Sequence, residues 1–202
     1  MNPRRLFLSL AAAGALAATL AGCERAAPPH KFNAVDVSGA QYAKHLELPD
    51  FDGKPRSLAD FKGKVVAVYF GYTQCPDACP TTLAELTGVA KSLGPDAARL
   101  QVLFVSVDPA RDTPQLLKNY VTNFRPDFLA LRGDDRQTKA AADEFKIFYE
   151  KIPGKTPETY TIDHISGIYL FDKQGHVRLF APQSLDAALL TDDIKFLVNE
   201  PA

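Results

Sequence analysis

Methionine occurs once in these 202 residues, at position 1, tryptophan is absent, and cysteine occurs three times. With no Met in the body of the chain, a Met-rich copper site and a blue-copper centre with an axial Met are both excluded. Three cysteines are too few for a disulfide scaffold or a four-cysteine zinc site. The charges, 23 Lys and Arg against 24 Asp and Glu, leave no basic footprint, so nothing points to nucleic acid as a partner. No internal repeat is present, and the only biased segment is the Ala-rich N-terminus.

A long membrane-spanning run is missing as well. Arg4 and Arg5 precede Leu6–Gly22, 17 apolar residues rich in Ala and Leu, too short and too weakly hydrophobic for a typical span but suited to a secretory signal. It ends Leu20-Ala21-Gly22-Cys23, which looks like a bacterial lipobox, in which the Cys is acylated and becomes the first residue of the mature chain. The alternative is an uncleaved signal anchor with an incidental Cys. On either reading the folded part is exported and tethered. The expected organisation is a lipoprotein signal peptide over 1–22, a lipidated N-terminus and flexible tether over 23–40 marked by Pro28-Pro29, and one folded domain over 41–202. Without residues 1–22 the balance becomes 21 basic against 24 acidic, because only Arg4 and Arg5 are lost.

With Cys23 lipidated, the fold retains Cys75 and Cys79, four residues apart in Gly71-Tyr72-Thr73-Gln74-Cys75-Pro76-Asp77-Ala78-Cys79-Pro80. In an oxidising compartment such a pair is more often redox-active or metal-binding than a structural staple, and a disulfide across so short a loop adds little stability. The elements around it follow from pattern. Lys64–Tyr72 and Leu100–Val107 are continuous apolar, β-branched and aromatic runs, as in strands buried on both faces. Pro80–Leu93 predicts a helix with Leu83, Leu86, Val89, Ala90 and Leu93 on its apolar stripe and Gly94 as its stop. Thr113 caps a helix that runs to Phe124, with Pro114 at its first position. Phe128–Leu131 is a short strand and Arg136–Phe148 a further helix. Ile165–Phe171 and Val177–Ala181 flank the hairpin signal Asp172-Lys173-Gln174-Gly175, and Ser184–Val198 is a closing amphipathic helix. Strands alternating with helices, then a hairpin and a last helix, give an α/β, thioredoxin-like fold with a central mixed β-sheet flanked by helices. The cysteine pair then falls where thioredoxins carry their dithiol.

Pro76 and Pro80 push Cys75 and Cys79 toward extended geometry, which puts Cys79 at the N-cap of the helix. Unpaired N–H groups and the helix dipole favour a thiolate there. Three residues between the sulfurs leave room for an ion, and two thiolates are soft ligands, suited to Cu(I) or Zn(II). Two Cys and one His is the number a trigonal copper site needs. His164, in Thr161-Ile162-Asp163-His164-Ile165, is the strongest third ligand because it lies immediately before the strand Ile165–Phe171, whose entry packs against the dithiol loop in a thioredoxin-like fold; taken alone, a His before a strand is more often structural. His30, His45 and His176 sit in the tether, the lead-in and a turn, and are expected to be exposed. Asp163 is a candidate to orient His164, or else ordinary strand-entry polarity. Asp77 is an exposed turn residue first and a contact to Cu(II) second. The charges of Ser106-Val107-Asp108-Pro109-Ala110-Arg111-Asp112-Thr113-Pro114 belong to loop and capping chemistry, with partner docking as the other use.

GYTQCPDACPTTL, SVDPARDTP and TIDHISGIYLFDKQG, in this order and spacing, resemble the Sco/SenC family from Leu46 to the last helix. Two departures stand out: Ile165 follows the His where a small or hydroxylated residue is frequent, and a lipobox takes the place of a membrane span. The resemblance implies a thioredoxin-like fold held at the membrane on the periplasmic side. It implies copper, as Cu(I) and also Cu(II), bound by residues that map onto Cys75, Cys79 and His164. It implies a role in assembling the Cu(A) centre of cytochrome c oxidase, with the Cu(A)-bearing subunit as partner and a second periplasmic copper chaperone or a thiol reductant as a further one. Delivery of copper to the partner's thiols is the favoured activity. The alternative is a thiol–disulfide oxidoreductase that reduces the receiving cysteines, with Cys75 attacking and Cys79 resolving. A peroxiredoxin-type peroxidase lacks its expected motif around Cys75, and a purely structural lipoprotein leaves the flanked cysteine pair unexplained.

Overall fold

The computed structural model describes residues 30–156 and 159–201, so the signal segment, Cys23 and the first part of the expected tether, residues 23–29, lie outside the described residues. The strands are β1 (Val35–Asp36), β2 (Glu47–Pro49), β3 (Pro55–Ser57), β4 (Val65–Gly71), β5 (Leu100–Ser106), β6 (Leu129–Leu131), β7 (Tyr149–Ile152), β8 (Thr161–His164), β9 (Gly167–Phe171) and β10 (Val177–Pro182). The α-helices are α1 (Ala78–Leu93), α2 (Pro114–Phe124), α3 (Asp135–Glu144) and α4 (Ala187–Asn199). Six strands form the main sheet in the order β1-β10-β9-β4-β5-β6. Strands β4, β5 and β6 are parallel, whereas β9 runs antiparallel to β4, β10 to β9 and β1 to β10. The sheet is therefore mixed and the fold thioredoxin-like.

All residues of β4 and β5 are buried, as their unbroken apolar runs require of strands covered on both faces. On one face Phe70, Tyr169 and Phe171 surround Phe145, the residue that follows α3, with ring centres 5.1 to 6.0 Å apart. On the other, Tyr69 and Phe104 meet α1 through Cys79 and α2 through Tyr120. Leu83 and Leu86 of α1 are wholly buried there, and truncating either to Ala would cost about 2–5 kcal/mol. Thr113 caps α2 by accepting the Leu116 N–H, and Gly175 makes the β9–β10 turn with φ of 88°, as the sequence indicates.

The helix expected over Arg136–Phe148 ends at Glu144. Lys146 takes a φ of 56°, which breaks the helix, and the chain then enters β7. This strand pairs with β8 in a two-stranded ribbon separate from the main sheet, in the register Tyr149↔His164 to Ile152↔Thr161. The fold also starts earlier than residue 41. Asp193, fully buried on α4, accepts the N–H groups of Asn33 and Ala34, and β1 then joins the edge of the sheet. The compact unit runs from Phe32 to the C-terminus.

Candidate metal centre

The fully buried strand β4 ends at Gly71, and the chain turns through Tyr72–Asp77 into α1. The turn is closed by Cys75 N–H donating to the Tyr72 carbonyl at 3.2 Å. The helix opens at Ala78, so Cys79 is its second residue and not its N-cap, and Asp77, exposed, holds the N-cap position without a side-chain cap bond. The cap comes from a sulfur instead: the Cys79 N–H points at Cys75 Sγ at 3.4 Å. The thiolate site is therefore Cys75, where the helix-end amides face, and not Cys79. The Cys79 thiol beside it and the amides of Asp77 and Cys79 bring the Cys75 thiol down to about 5. The neighbouring Cys75 sulfur and full burial push Cys79 up, so the pair holds one proton, on the inner sulfur, over the neutral range.

Cys79 Sγ rests on Gly71 and accepts the Tyr69 hydroxyl at 3.6 Å. A Cβ on Gly71 would lie 2.8 Å from that sulfur and 2.9 Å from the Phe104 ring, so the strand end must be glycine. Burial and the Cys79 sulfur together push the Tyr69 phenol far up, which keeps it a hydrogen-bond donor.

His164 reaches the sulfurs from the far side, as the last residue of β8, and the strand expected to begin at Ile165 begins at Gly167. It does not enter the main sheet; Ile165 and Ser166 lead on to β9. Its Nε2 is 3.7 Å from Cys79 Sγ, and its Nδ1 is 3.2 Å from the Ile165 carbonyl. That carbonyl needs a donor, so Nδ1 carries the proton and Nε2 presents its lone pair to the sulfurs. Asp163 plays no part in this, being exposed on a strand whose side chains alternate. The rings of Tyr69 and Tyr72 stand edge-on to the imidazole, with centres 6.2 and 6.1 Å away.

The ligand atoms of Cys75, Cys79 and His164 all lie within 4.8 Å of one another, and among the described residues they form the one His/Cys/Asp/Glu group so arranged. Three donors bound at about 2.0–2.3 Å in a plane would be separated by about 3.5–4.0 Å, so the site needs only a slight contraction to close on an ion. Two sulfurs and one imidazole suit a thiophilic ion of low coordination number. The group opens onto a cleft of about 620 Å³, lined also by Pro76, Phe148 and Ile165. Phe148 and Ile165 are 59% and 41% exposed, which gives the mouth an apolar rim. His45 and His176 are exposed and far from this group in sequence and fold, as is His30.

Two residues of the site escaped sequence reasoning. Gly71 stood within the motif with no role assigned. Tyr72 accepts the Ile162 N–H at 3.2 Å and so ties β8 to the cysteine loop, a long-range bond that no local pattern signals.

A thioredoxin-like sheet with two cysteines and a histidine at the mouth of one cleft defines a class of thiol-based, metal-competent α/β proteins. The SCO1/SenC family model matches residues 36–199, and the chain belongs to that family. An SCO2-like protein of Rickettsia prowazekii is 40% identical over 131 residues, and that match covers 64% of this chain and 64% of the relative, a little under two thirds of its length. Among solved structures, Bradyrhizobium japonicum ScoI with copper bound is 35% identical with a TM-score of 0.69, over 76% of this chain and 97% of that one. Yeast Sco1 with copper bound is 31% identical with a TM-score of 0.70, over 78% and 88%.

Proposed function

We propose that this protein is an exported copper carrier that serves the assembly of the Cu(A) centre of cytochrome c oxidase. The observation that carries the reading is the convergence of Cys75 Sγ, Cys79 Sγ and His164 Nε2 from three parts of the fold to within 4.8 Å. Solved relatives with copper bound support it. In this reading copper is cargo, held by two thiolates and one imidazole. Soft sulfur donors favour Cu(I), and the half-exposed Cys75 is the sulfur that an incoming thiol of the partner can replace first. The acceptor is the Cu(A)-bearing subunit, and the apolar rim of Phe148 and Ile165 meets it. Lipid on Cys23 holds the domain at the periplasmic side of a membrane. No helix among the described residues is long and apolar enough to cross a membrane.

A second reading has its own observation. Cys75 is acidic and half-exposed while Cys79 is buried and protonated, the asymmetry of an attacking and a resolving thiol. As a reductase, Cys75 would open a partner disulfide to a mixed disulfide. Cys79, on losing its proton, would displace the partner as a dithiol and leave a Cys75–Cys79 disulfide. Copper binding needs His164, whereas dithiol exchange has no evident need of it.

The test is copper stoichiometry and affinity of the reduced full-length protein, with Cys75→Ser, Cys79→Ser and His164→Ala beside it. One copper per chain, lost or sharply weakened in all three, is the expected result. Wild-type affinity in His164→Ala would remove the imidazole and leave the reductase reading. Mass spectrometry showing an unmodified Cys23 in the mature protein would refute the lipid anchor.

A further inference from the structure

The loop between β5 and α2 contains none of the three candidate ligands, yet it grips both halves of the site. Asp112, fully buried, accepts the Thr73 N–H at 3.2 Å, the Thr73 hydroxyl at 2.6 Å and the Ser106 hydroxyl at 2.6 Å, which fixes the cysteine loop two residues before Cys75. Asp108, also fully buried, accepts the Tyr160 hydroxyl at 2.6 Å and pairs with Arg111 through Nε. Arg111 Nη1 donates to the Tyr160 main-chain carbonyl at 2.7 Å, and the guanidinium carbon lies 3.5 Å from the centre of the Tyr160 ring. Tyr160 is the residue before β8, four before His164.

This matters because β7 and β8 pair only with each other and not with the main sheet. The place of His164 relative to the sulfurs therefore depends on the few bonds that join the ribbon to the body. Among the described residues these include the grip on Tyr160, the Ile162–Tyr72 bond and, just past His164, the Gln183 N–H donated to the Ser166 carbonyl at 3.3 Å; the guanidinium stands 5.7 Å from the Tyr72 ring as well. A buried ion pair is a weak source of stability but a strong source of direction. A planar fork that bonds a carboxylate with one nitrogen, a carbonyl with another and stacks on a ring fixes all three.

We infer that Arg111 is a positioning residue of the metal centre: oriented by Asp108, it holds Tyr160 and thereby sets His164 against Cys79. The inference rests on reading Cys75, Cys79 and His164 as copper ligands. If it holds, Arg111 acts on copper only through His164.

The reduced full-length protein is titrated with Cu(I) against a chromophoric chelator as wild type, Arg111→Lys, His164→Ala and the double variant. Lysine keeps the charge and loses the fork and the stack. Arg111→Lys should weaken copper by about 10–100-fold, as loss of an outer partner of a ligand does, and should add no more than about twofold in the His164→Ala background. In the metal-free protein, the nuclear Overhauser contact between the His164 ring and the Cys79 β-protons should be present in wild type and lost in Arg111→Lys. Thermal unfolding by circular dichroism checks the fold. Should Arg111→Lys not fold, Tyr160→Phe, which removes only the bond to Asp108, is expected to give a smaller loss in the same direction. Unchanged affinity and an intact ring contact in a folded variant would overturn the inference. So would a full additional loss on top of His164→Ala, which would put the effect on the thiols or the fold. The ring contact needs no copper, so failure of the copper reading, seen as wild-type affinity in Cys75→Ser, is a separate result.

Discussion

Replacing Gly71 by alanine adds one methyl group at the floor of the metal centre, and its consequences divide into two measurable parts. The new Cβ would stand 2.8 Å from Cys79 Sγ, 2.9 Å from Phe104 Cε2 and 3.1 Å from Tyr69 Cε1. Ordinary contacts of this kind are about 3.5–4.0 Å, so two neighbours must each yield by more than half an ångström. Phe104 and Tyr69 are wholly buried aromatic rings in the centre of the sheet and have little room to yield. Cys79 is held on a helix and its sulfur moves by rotating about its side chain. The strain of overpacking such a core is about 1–3 kcal/mol. In a domain of this size each kcal/mol corresponds to about 2–4 °C, so a drop of about 4–8 °C is expected for a cost near 2 kcal/mol. The second part is larger in effect. A metal site tolerates ligand errors of about 0.2 Å, and the sulfur that must move is the one 3.7 Å from His164 Nε2. Copper affinity should therefore fall by at least about tenfold, far more than the modest loss of stability would suggest. The assays are calorimetric unfolding and Cu(I) competition on the same preparation. Unfolding within about 1 °C of wild type together with unchanged affinity would show that Gly71 is not the floor of the site.

Three further outcomes are expected. The Cys75 thiol lies well below its ordinary value, so its thiolate persists as the pH falls and is lost only through about 5; alkylation of the reduced, metal-free protein should map to Cys75 at pH 6 at nearly its pH 7.5 rate, and a rate with a midpoint at pH 8–9 would contradict this. Oxidation of Cys75 and Cys79 to a disulfide consumes both thiolates, so the oxidised protein should load Cu(I) far more weakly than the reduced one; equal loading, with free thiols counted in parallel, would remove the cysteine pair from the site. Asp193→Ala strands the Asn33 and Ala34 amides that the carboxylate holds, and should cost about 2–4 kcal/mol and speed hydrogen exchange at the Val37 amide, which bonds Arg178 in the β1–β10 edge; wild-type exchange at that amide would refute the clamp.

The centre of the fold was legible because it is made by composition. Runs such as Val65–Gly71 admit only a strand covered on both sides, and α1 carries a clean apolar stripe. The two thiols were legible because so few soft donors exist in the chain, and His164 because of its place ahead of the strand expected at Ile165. The ribbon of β7 and β8 was not: Glu150, Lys151 and Ile152 are exposed, so no apolar alternation betrays β7, and the helix before it breaks at Lys146 without a Gly or Pro. The partition of the two thiols was misjudged because Pro80 marked the helix start, while the backbone begins the helix two residues earlier and turns its amides on Cys75. The charges of Asp108, Arg111 and Asp112 looked like loop polarity. Their burial depends on donors from Thr73, Ser106 and Tyr160, which the sequence places up to 52 residues away.

The cysteines grow from the central strand of the main sheet, whereas His164 is carried by a ribbon outside it. The two sides of the site are thus governed by different free energies. The cysteine side is anchored to a strand and a helix packed in the core, while the histidine side is carried by a two-stranded hairpin outside the main sheet, the kind of unit that lies at the cheaper end of a protein's range of partial unfolding. The place of the imidazole is therefore set by the hairpin and its ties to the body, and the places of the sulfurs by the core.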